Sequence, residues 1–274
     1  MPVAAVITNR NKDSAGAVTA KVSSVLKNKY DIISIDGTDD VRTEDAIGKA
    51  NVAIVLGGDG TILGVSRFAA RHGVPIIGIN LGTLGFLADV ELAEIDGALN
   101  KFMNGEYRID ERFMLEAHVK CENGGGESFT ALNDIVISRA SYRRMVALDV
   151  EVDGHFLASY DGDGVVVATP TGSTAYSMSA GGPVVEPSLG VCVITPICCH
   201  TMSSRPMIVP GGSKINIKFR GTFDDMSMLT ADGQRGFKLS DGDEITVSAS
   251  DKTLKLIKIS DMGFYELLGK KLHG

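Results

Sequence analysis

Residues 52–61 read Val-Ala-Ile-Val-Leu-Gly-Gly-Asp-Gly-Thr, an apolar run followed by a glycine turn and then by a segment with helical spacing. Glycines let main-chain amides approach an anion, and the start of a helix adds a favourable dipole. This order of strand, turn and helix predicts a parallel α/β sheet with a phosphate-binding turn after one strand. Asp59 would repel bare phosphate, so its position indicates contact with a metal ion or a hydroxyl proton.

The turn by itself also fits a simpler structure, in which the glycines end a strand and Asp59 caps the next helix. It does not match the two best-known nucleotide motifs. No lysine follows the glycines as in G-x-x-x-x-G-K-[ST], and the glycines at positions 58, 60 and 64 miss the G-x-G-x-x-G spacing. An ordinary P-loop or dinucleotide fingerprint is therefore not predicted.

Composition narrows the class of protein. The chain has 274 residues, of which 44% are apolar, and a formal net charge of −7. A negative chain without a block of Lys and Arg is not expected to bind nucleic acid or a membrane surface. No apolar stretch approaches the roughly 20 residues of a membrane span, and the first residues lack a signal pattern. These features predict a cytoplasmic protein.

Four cysteines, Cys121, Cys192, Cys198 and Cys199, include no C-x-x-C pair. They predict neither a disulfide framework nor a zinc site. Neighbouring residues of an extended segment point to opposite faces, so Cys198 and Cys199 are not expected to bind one ion together. The prediction is that they are small buried hydrophobes.

The hydrophobic pattern divides the chain. Apolar runs and helix-like segments alternate through the first hundred residues, which predicts a Rossmann-like α/β domain with a parallel sheet. After about Tyr107 the apolar residues alternate singly, as at Leu115, Ala117 and Val119, which predicts an antiparallel β-sandwich. The fold class is α/β plus all-β. The predicted domains are residues 1–106, residues 107–259, and a C-terminal segment, residues 260–274, that returns to the first domain.

Polar residues at 133 and 134 interrupt an otherwise apolar stretch that reads as one strand. Buried polar groups need hydrogen-bond partners, and the hydroxyls of a sugar or an amide would provide them for Asn133 and Asp134. A bulge whose side chains bond nearby backbone is an equal alternative.

The segment 161–183 has the densest set of small polar groups, including a second carboxylate at Asp163. Its hydroxyls suit phosphate or ribose oxygens, a small residue leaves room for a flat base, and an aromatic ring can stack on one. These candidates are Thr171, Ser173 and Thr174 for the hydroxyls, Ala175 for the space and Tyr176 for the ring. Helix capping by Thr171 or Ser173 is compatible with these roles. The segment lacks the G-x-S-x-G pattern of a serine hydrolase.

In this order and spacing the motifs resemble the NAD kinase family. They are G-G-D-G-T from position 57, N-L-G-T-L-G-F-L from 80, N-D at 133, D-G at 163, T-P-T-G-S-T-A-Y-S-x-S-A-G-G-P from 169 and T-P-I-C-x-H-T from 195. The similarity runs from about Val52 to Gln234. G-G-D-G is shared with lipid kinases and, more distantly, with phosphofructokinases, whereas T-G-S-T-A-Y combined with N-D is more specific.

The resemblance implies a phosphotransferase that moves the γ-phosphoryl group of ATP, or a phosphoryl group of polyphosphate, to the 2′-hydroxyl of the adenosine ribose of NAD, giving NADP. It implies that Asp59 accepts the proton and lies near a divalent metal such as Mg²⁺, which comes with ATP and has no fixed protein site. The implied phosphate-binding residues are Gly57, Gly58, Gly60 and Thr61. The implied NAD-binding residues are Asn133, Asp134, Arg144, Asp163, Thr171, Thr174, Ala175, Tyr176, Ser179 and Gln234.

Members of this family assemble as dimers or tetramers in which a neighbouring subunit completes the site, so a homodimer or homotetramer is expected. One position departs from the pattern. Some bacterial members have a basic residue two positions before the one that matches Asp163, where this chain has Asp161. Arg144 is the candidate to replace that charge, and its alternative is a solvated arginine at a strand end.

Two other functions stay open at this point. A dinucleotide sensor would keep the NAD-binding residues without transferring phosphate, although an intact Asp59 argues against it. A lipid kinase would share G-G-D-G but would not need the motifs at 133 and 172–176. The sequence does not decide the phosphoryl donor or the preference between NAD and NADH.

Overall fold

The computed structural model describes residues 1–9, 13, 16–36, 39–139, 145–200, 204–220 and 227–273. The strands are β1 (Val3–Thr8), β2 (Asp31–Asp36), β3 (Val52–Gly57), β4 (Ile76–Asn80), β5 (Val90–Glu91), β6 (Arg108–Arg112), β7 (Leu115–Lys120), β8 (Gly126–Ala131), β9 (Asp134–Arg139), β10 (Val146–Val152), β11 (His155–Gly162), β12 (Gly164–Ala168), β13 (Val191–Ile197), β14 (Met207–Pro210), β15 (Ile215–Arg220), β16 (Ser227–Ala231), β17 (Arg235–Leu239), β18 (Glu244–Ala249) and β19 (Leu254–Lys258). The helices are α1 (Ala17–Leu26), α2 (Asp40–Gly48), α3 (Asp59–His72), α4 (Ile95–Met103), α5 (Tyr176–Ser179) and α6 (Phe264–His273), with 3₁₀ turns at Leu92–Glu94 and Thr171–Thr174.

The first of two compact units comprises Met1–Arg112 and Lys252–Gly274. It is built on a seven-stranded sheet in the order β2-β1-β3-β4-β19-β6, with β5 paired to β4. All of its strand pairs are parallel except β19 with β6. Every position of β3 is buried, as expected for a strand with helices over both faces. The predicted Rossmann-like α/β domain with a parallel sheet is confirmed.

The edge of this sheet explains where the chain divides. β6 and β19 pair along five residues each, from Arg108 opposite Lys258 to Arg112 opposite Leu254. The chain therefore passes from one unit to the other between residues 112 and 113 and again between residues 251 and 252. The hydrophobic pattern of the sequence predicts these boundaries at 106/107 and 259/260. β6 has a single apolar residue and β19 is not an unbroken apolar run, so the local pattern does not reveal which sheet they join.

The second unit, Phe113–Asp251, consists of two six-stranded antiparallel sheets. Their orders are β11-β10-β15-β18-β7-β8 and β14-β13-β12-β9-β16-β17. The inward residues of both sheets form one core, in which Leu148 and Phe219 of one sheet pack with Ile137 of the other in a single cluster. The predicted antiparallel β-sandwich is confirmed, because alternation along strands such as β7 places every second residue inside.

The cysteines differ in their surroundings. Cys192 lies in the sandwich core, and burial raises the pKa of its thiol to about 12. Cys199 is partly buried against the same core, whereas Cys198 is exposed. The prediction of a buried hydrophobe is therefore wrong for Cys198, whose backbone has a φ of 45° and leaves the extended conformation on which the prediction relied. Within the described residues, no helix is long and apolar enough to cross a membrane.

Candidate active site

The glycine turn lies at the carboxyl end of β3, in the first unit. Gly57 is the last residue of the strand, Gly58 is extended, and α3 begins at Asp59. A Cβ on Gly57 would overlap the side chain of Thr61, one turn into the helix. A Cβ on Gly60 would meet nothing within 4 Å. Gly57 therefore makes room for the chain itself, whereas Gly60 leaves space open in front of the helix.

The carboxylate of Asp59 is bound by backbone amides of another loop. The N–H of Phe86 donates to Oδ2 at 2.7 Å, and those of Leu87 and Ala88 donate to Oδ1 at 3.1 and 3.4 Å. The side chain makes no capping bond to its own helix, where Gly58 holds the cap position. The simpler explanation of Asp59 as a helix cap is therefore wrong. Its charge is held by fixed donors, which are the strong kind of hydrogen bond.

A second glycine loop, residues 80–87, meets the glycine turn because β3 and β4 are neighbours in the sheet. Gly57 lies opposite Asn80, and the N–H of Leu81 donates to the carbonyl of Gly57. The Asn80 side chain closes the loop through two bonds with Gly82. Gly85 is required by space, since a Cβ there would overlap the carboxylate of Asp59. The sequence analysis named this loop as one of the family motifs but assigned no role to its residues.

A buried ion pair supports the loop from behind. Nζ of Lys258, on β19, lies 3.4 Å from Oδ1 of Asp89, and both side chains are at least nine-tenths buried. The Asp89 carboxylate also accepts the N–H groups of Ile259 and Ser260. Lys258 donates to the carbonyl of Leu87, whose amide binds Asp59. Burial lowers the pKa of Lys258 while Asp89 opposes that shift. The pair ties β19 to the loop that holds Asp59.

The turn borders a cavity of about 450 Å³. Its lining residues come from the glycine turn, the second loop, the end of β1 and helix α6: Asn9, Gly58, Asp59, Gly60, Thr61, Thr83, Gly85 and Lys271. The predicted phosphate-binding residues Gly58, Gly60 and Thr61 thus face one space together with Asp59. Lys271 was not among the candidates, although α6 was expected to return to this domain.

The second unit holds the N-D motif by the same kind of interaction. The carboxylate of Asp232 accepts the backbone N–H groups of Leu132, Asn133 and Asp134 at 2.7 to 3.2 Å. The chain leaves β8 at Ala131 and enters β9 at Asp134, so the motif lies where the chain crosses between sheets. The interpretation as one continuous strand is wrong, because the backbone amides at the crossing bond a distant carboxylate and not a neighbouring strand.

Asp232 belongs to an Asp-Gly turn between β16 and β17, with φ of 53° and 63° at Asp232 and Gly233. The predicted contact Gln234 follows in the same turn, and its side chain is exposed. The N–H of Asp232 also donates to the carbonyl of Asp134. The sequence analysis did not single out Asp232, although an Asp-Gly turn beside the candidate contact Gln234 was the available signal.

Asp134 is buried, and its pKa is raised to about 7. The main cause is removal of the carboxyl group from water, and the nearby charge of Asp232 adds to the shift. Near neutral pH this group exchanges between a hydrogen-bond donor and an acceptor, both of which suit a hydroxyl of a sugar.

The turn after β12 packs directly on the N-D motif. A Cβ on Gly172 would overlap the carbonyl of Asn133. The Thr169 hydroxyl donates to the carbonyl of Leu132 and accepts the N–H of Gly172, so Thr169 caps this turn. Ser173 is buried and bonds Pro170 and Val185, which makes it structural and not a ligand contact. Thr169 therefore caps this turn, in place of the predicted Thr171 or Ser173.

The other candidates in this turn differ in exposure. Thr171 is buried, and Thr174 donates its hydroxyl to the Thr171 carbonyl. Thr174 and Ala175 are half-buried, whereas Tyr176 and Ser179 are exposed. Tyr176 leaves 44% of its surface accessible, enough for a flat ring to stack on it.

Asp163 lies between β11 and β12, beside an arginine that the sequence analysis did not single out. Nε of Arg139 is 2.7 Å from Oδ1, and a second guanidinium nitrogen donates to Oδ2 at 3.2 Å. Asp161, at the departure from the family pattern, is exposed. Arg144, the candidate to replace the missing charge, lies outside the described residues.

Comparison with protein families gives two matches. Residues 3–107 match the model described as ATP-NAD kinase N-terminal domain, and residues 132–259 match that described as ATP-NAD kinase C-terminal domain. An NAD kinase of Natranaerobius thermophilus is 40% identical over 98% of this chain and 96% of its own length. One from Moorella thermoacetica is 46% identical over 84% of this chain and 73% of its own length.

Solved structures give similar results. A yeast NADH kinase complexed with NADH has a TM-score of 0.89 at 26% identity, over 99% of this chain and 87% of that one. An NAD kinase from Archaeoglobus fulgidus in complex with ATP has a TM-score of 0.78 at 26% identity, over 98% of both chains.

Replacing Gly85 with alanine should lower the free energy of unfolding by about 1–3 kcal/mol, because the new Cβ overlaps the Asp59 carboxylate. Gly97→Ala, on α4 where a Cβ meets nothing within 4 Å, is the control and should stabilise by about 0.5–1 kcal/mol. Urea titration of the wild type and the two variants measures both changes in the free energy of unfolding. Equal midpoints for Gly85→Ala and wild type would show that Asp59 is not held in this contact.

Asp134 should make stability depend on pH. Its pKa is about 7 in the fold and near 3.8 in the unfolded chain, so the fold binds the extra proton between these values. The stabilisation from the protonated Asp134 carboxyl group is complete below pH 3.8 and is lost as the pH rises through about 7. The advantage of Asp134→Asn over wild type in free energy of unfolding should therefore grow between pH 4 and pH 7. Urea titrations across this range measure it, with the exposed Asp31→Asn as control; a constant difference for Asp134→Asn would contradict the assignment.

Proposed function

The chain belongs to the NAD kinase family, and we propose that it transfers the γ-phosphoryl group of ATP to the 2′-hydroxyl of the adenosine ribose of NAD, giving NADP. The observation that carries the proposal is the Asp59 carboxylate, held by three amides beside an open cavity at the N-terminus of α3. The NAD kinase of A. fulgidus in complex with ATP supports ATP as the donor.

Phosphoryl transfer needs positioning and charge neutralisation more than covalent chemistry. In this proposal the amides around Gly58 and Gly60 and the dipole of α3 bind donor phosphates in the cavity. Asp59 orients the attacking ribose hydroxyl and accepts its proton as the new bond forms. The amides of residues 86–88 hold that carboxylate in place, so it does not reorganise during the reaction.

A divalent metal fits this donor set. Mg²⁺ is usually held by one or two carboxylates together with substrate phosphates, and Asp59 is the carboxylate among the residues that line the cavity. Oδ2 of Asp59 accepts one amide and keeps a lone pair for the metal, whereas Oδ1 accepts two amides. The metal would arrive with ATP and neutralise charge on the phosphates.

The NAD-binding residues are proposed in the second unit. Asn133 and Asp134 lie in the crossing that Asp232 holds, where both can bond ribose hydroxyls. The accompanying contacts are Thr171, Thr174, Ala175, Tyr176 and Ser179 in the turn after β12, with Asp163, Gln234 and Arg144. Asp163 is oriented by Arg139, so it presents a fixed acceptor. Ser173 is left out because its hydroxyl already bonds the backbone.

We also propose that the protein works as a homodimer or homotetramer in which a neighbouring subunit completes the site, as the family resemblance implies. Light scattering of the purified protein measures the subunit count, and a monomer at working concentration would contradict the proposal. The cytoplasmic location stays a prediction from composition.

The direct test supplies the protein with NAD, ATP and Mg²⁺ and follows NADP through a coupled NADP-specific dehydrogenase. A parallel sample receives polyphosphate in place of ATP. Another receives NADH in place of NAD, and its product, NADPH, is followed with an NADPH-specific reductase. NADP formation with ATP supports the kinase. Binding of NAD by calorimetry without NADP formation supports the sensor, and binding to lipid vesicles without NAD binding supports the lipid kinase.

Asp59→Asn should lower turnover by about 10²-fold or more, because it removes the proton acceptor. Its affinity for NAD should be unchanged in calorimetry. Asparagine offers one oxygen to the amides of residues 86–88, so we also expect some loss of stability, which urea titration separates from the chemical effect. Asp45→Asn, an exposed carboxylate of the same unit, is the control. Wild-type turnover in Asp59→Asn would refute the role.

Tyr176→Ala should raise the Michaelis constant for NAD about tenfold by removing a stacking surface, while that for ATP stays the same. Tyr176→Phe keeps the ring and should behave as wild type. Initial rates over a matrix of NAD and ATP concentrations measure both constants. An unchanged constant for NAD in the alanine variant would rule out stacking on Tyr176.

A further inference from the structure

The last helix, α6, ends with an exposed lysine, Lys271, that lies beside the glycine turn. Positions 264, 267, 268 and 271 follow the i, i+3, i+4, i+7 spacing of one helix face. Phe264 contacts the Phe86 ring, with centroids 6.4 Å apart, and Leu267 is buried. The next place on this face is Lys271, whose side chain is exposed where the face ends.

Lys271 reaches the cavity at the glycine turn. It lines that cavity together with Gly58, Asp59 and Gly60, and its Nζ lies 5.9 Å from the centroid of the Phe86 ring. Among the residues that the structure describes, none forms an ion pair or a hydrogen bond with this ammonium group. The preceding Lys270, by contrast, pairs with Glu266 at 3.0 Å on the same helix.

We propose that Lys271 binds the terminal phosphates of the phosphoryl donor, a role that rests on the function proposed above. It is the cationic side chain among the residues lining the cavity, whose other charged group is the Asp59 carboxylate. A triphosphate that enters this space brings several negative charges. The amides of the turn supply partial positive charge, and Lys271 supplies a full one.

The chemistry of lysine suits this role. Its ammonium is a compact point charge on a flexible stem and binds phosphate without the fixed geometry of a guanidinium. The ammonium of Lys271 lies 5.9 Å from the ring centroid of Phe86, whose N–H binds Asp59, so the charge is near the loop that holds the reacting group. The residue also lies in the last turn of α6, where a cation is favoured by the helix dipole.

The test separates phosphate binding from this helix-stabilising role. Lys271→Gln and the matched Lys270→Gln each remove one positive charge from the last two turns of α6. Calorimetry with inorganic tripolyphosphate and Mg²⁺, without NAD, should show about tenfold weaker binding for Lys271→Gln and a change within twofold for Lys270→Gln. The two glutamine variants should have the same midpoint of thermal unfolding. Lys271→Arg keeps the charge and should retain most of the affinity.

Kinetics provide the second readout. Lys271→Gln should raise the Michaelis constant for ATP about tenfold and leave that for NAD unchanged. One outcome is that the wild type binds tripolyphosphate and forms no NADP, while Lys271→Gln binds tripolyphosphate more weakly and Lys270→Gln does not. In that case the phosphate contact of Lys271 is supported and the proposed function fails. Equal tripolyphosphate affinities for the two glutamine variants, or no binding by the wild type, would overturn the proposal.

Discussion

The bond between the Asp59 carboxylate and the amides of residues 86–88 is the constraint on which the first unit's site depends. It joins the turn after β3 to the loop after β4, and it requires glycine at position 85. The Lys258–Asp89 pair secures the same loop from β19. A charge held by fixed backbone dipoles does not have to be oriented again when substrate binds.

The second unit uses the same arrangement for another purpose. Asp232 accepts three amides at the crossing of Asn133 and Asp134, and the turn containing Gly172 packs on that crossing. A carboxylate that binds backbone amides replaces a strand partner where the chain leaves one sheet for the other. Burial is the main cause of the raised pKa of Asp134, and the charge of Asp232 beside it adds to the shift.

Much of the fold could be predicted, because each sheet type has its own local period. Unbroken apolar runs between helices indicated the parallel sheet, and alternation at positions such as Leu115 and Ala117 indicated the sandwich. The placement of β6 and β19 in the first unit could not be predicted, since neither strand has the unbroken apolar run that marks β3 of the same sheet. The exposed Cys198 was missed because its left-handed backbone leaves no mark in the local pattern.

The sequence alone determined which chemical groups are present and where glycine turns follow strands. It thereby indicated the family, the carboxylate at Asp59 and the polar turn ending in Tyr176. The tertiary structure decided which groups meet. Asp59 finds its first amide 27 residues away and Asp232 finds one 100 residues away, and Lys271 comes to the cavity on a helix that follows the whole second unit. A sequence pattern reflects neighbours within one helical turn or one strand, so contacts over such separations arise only when the sheets assemble.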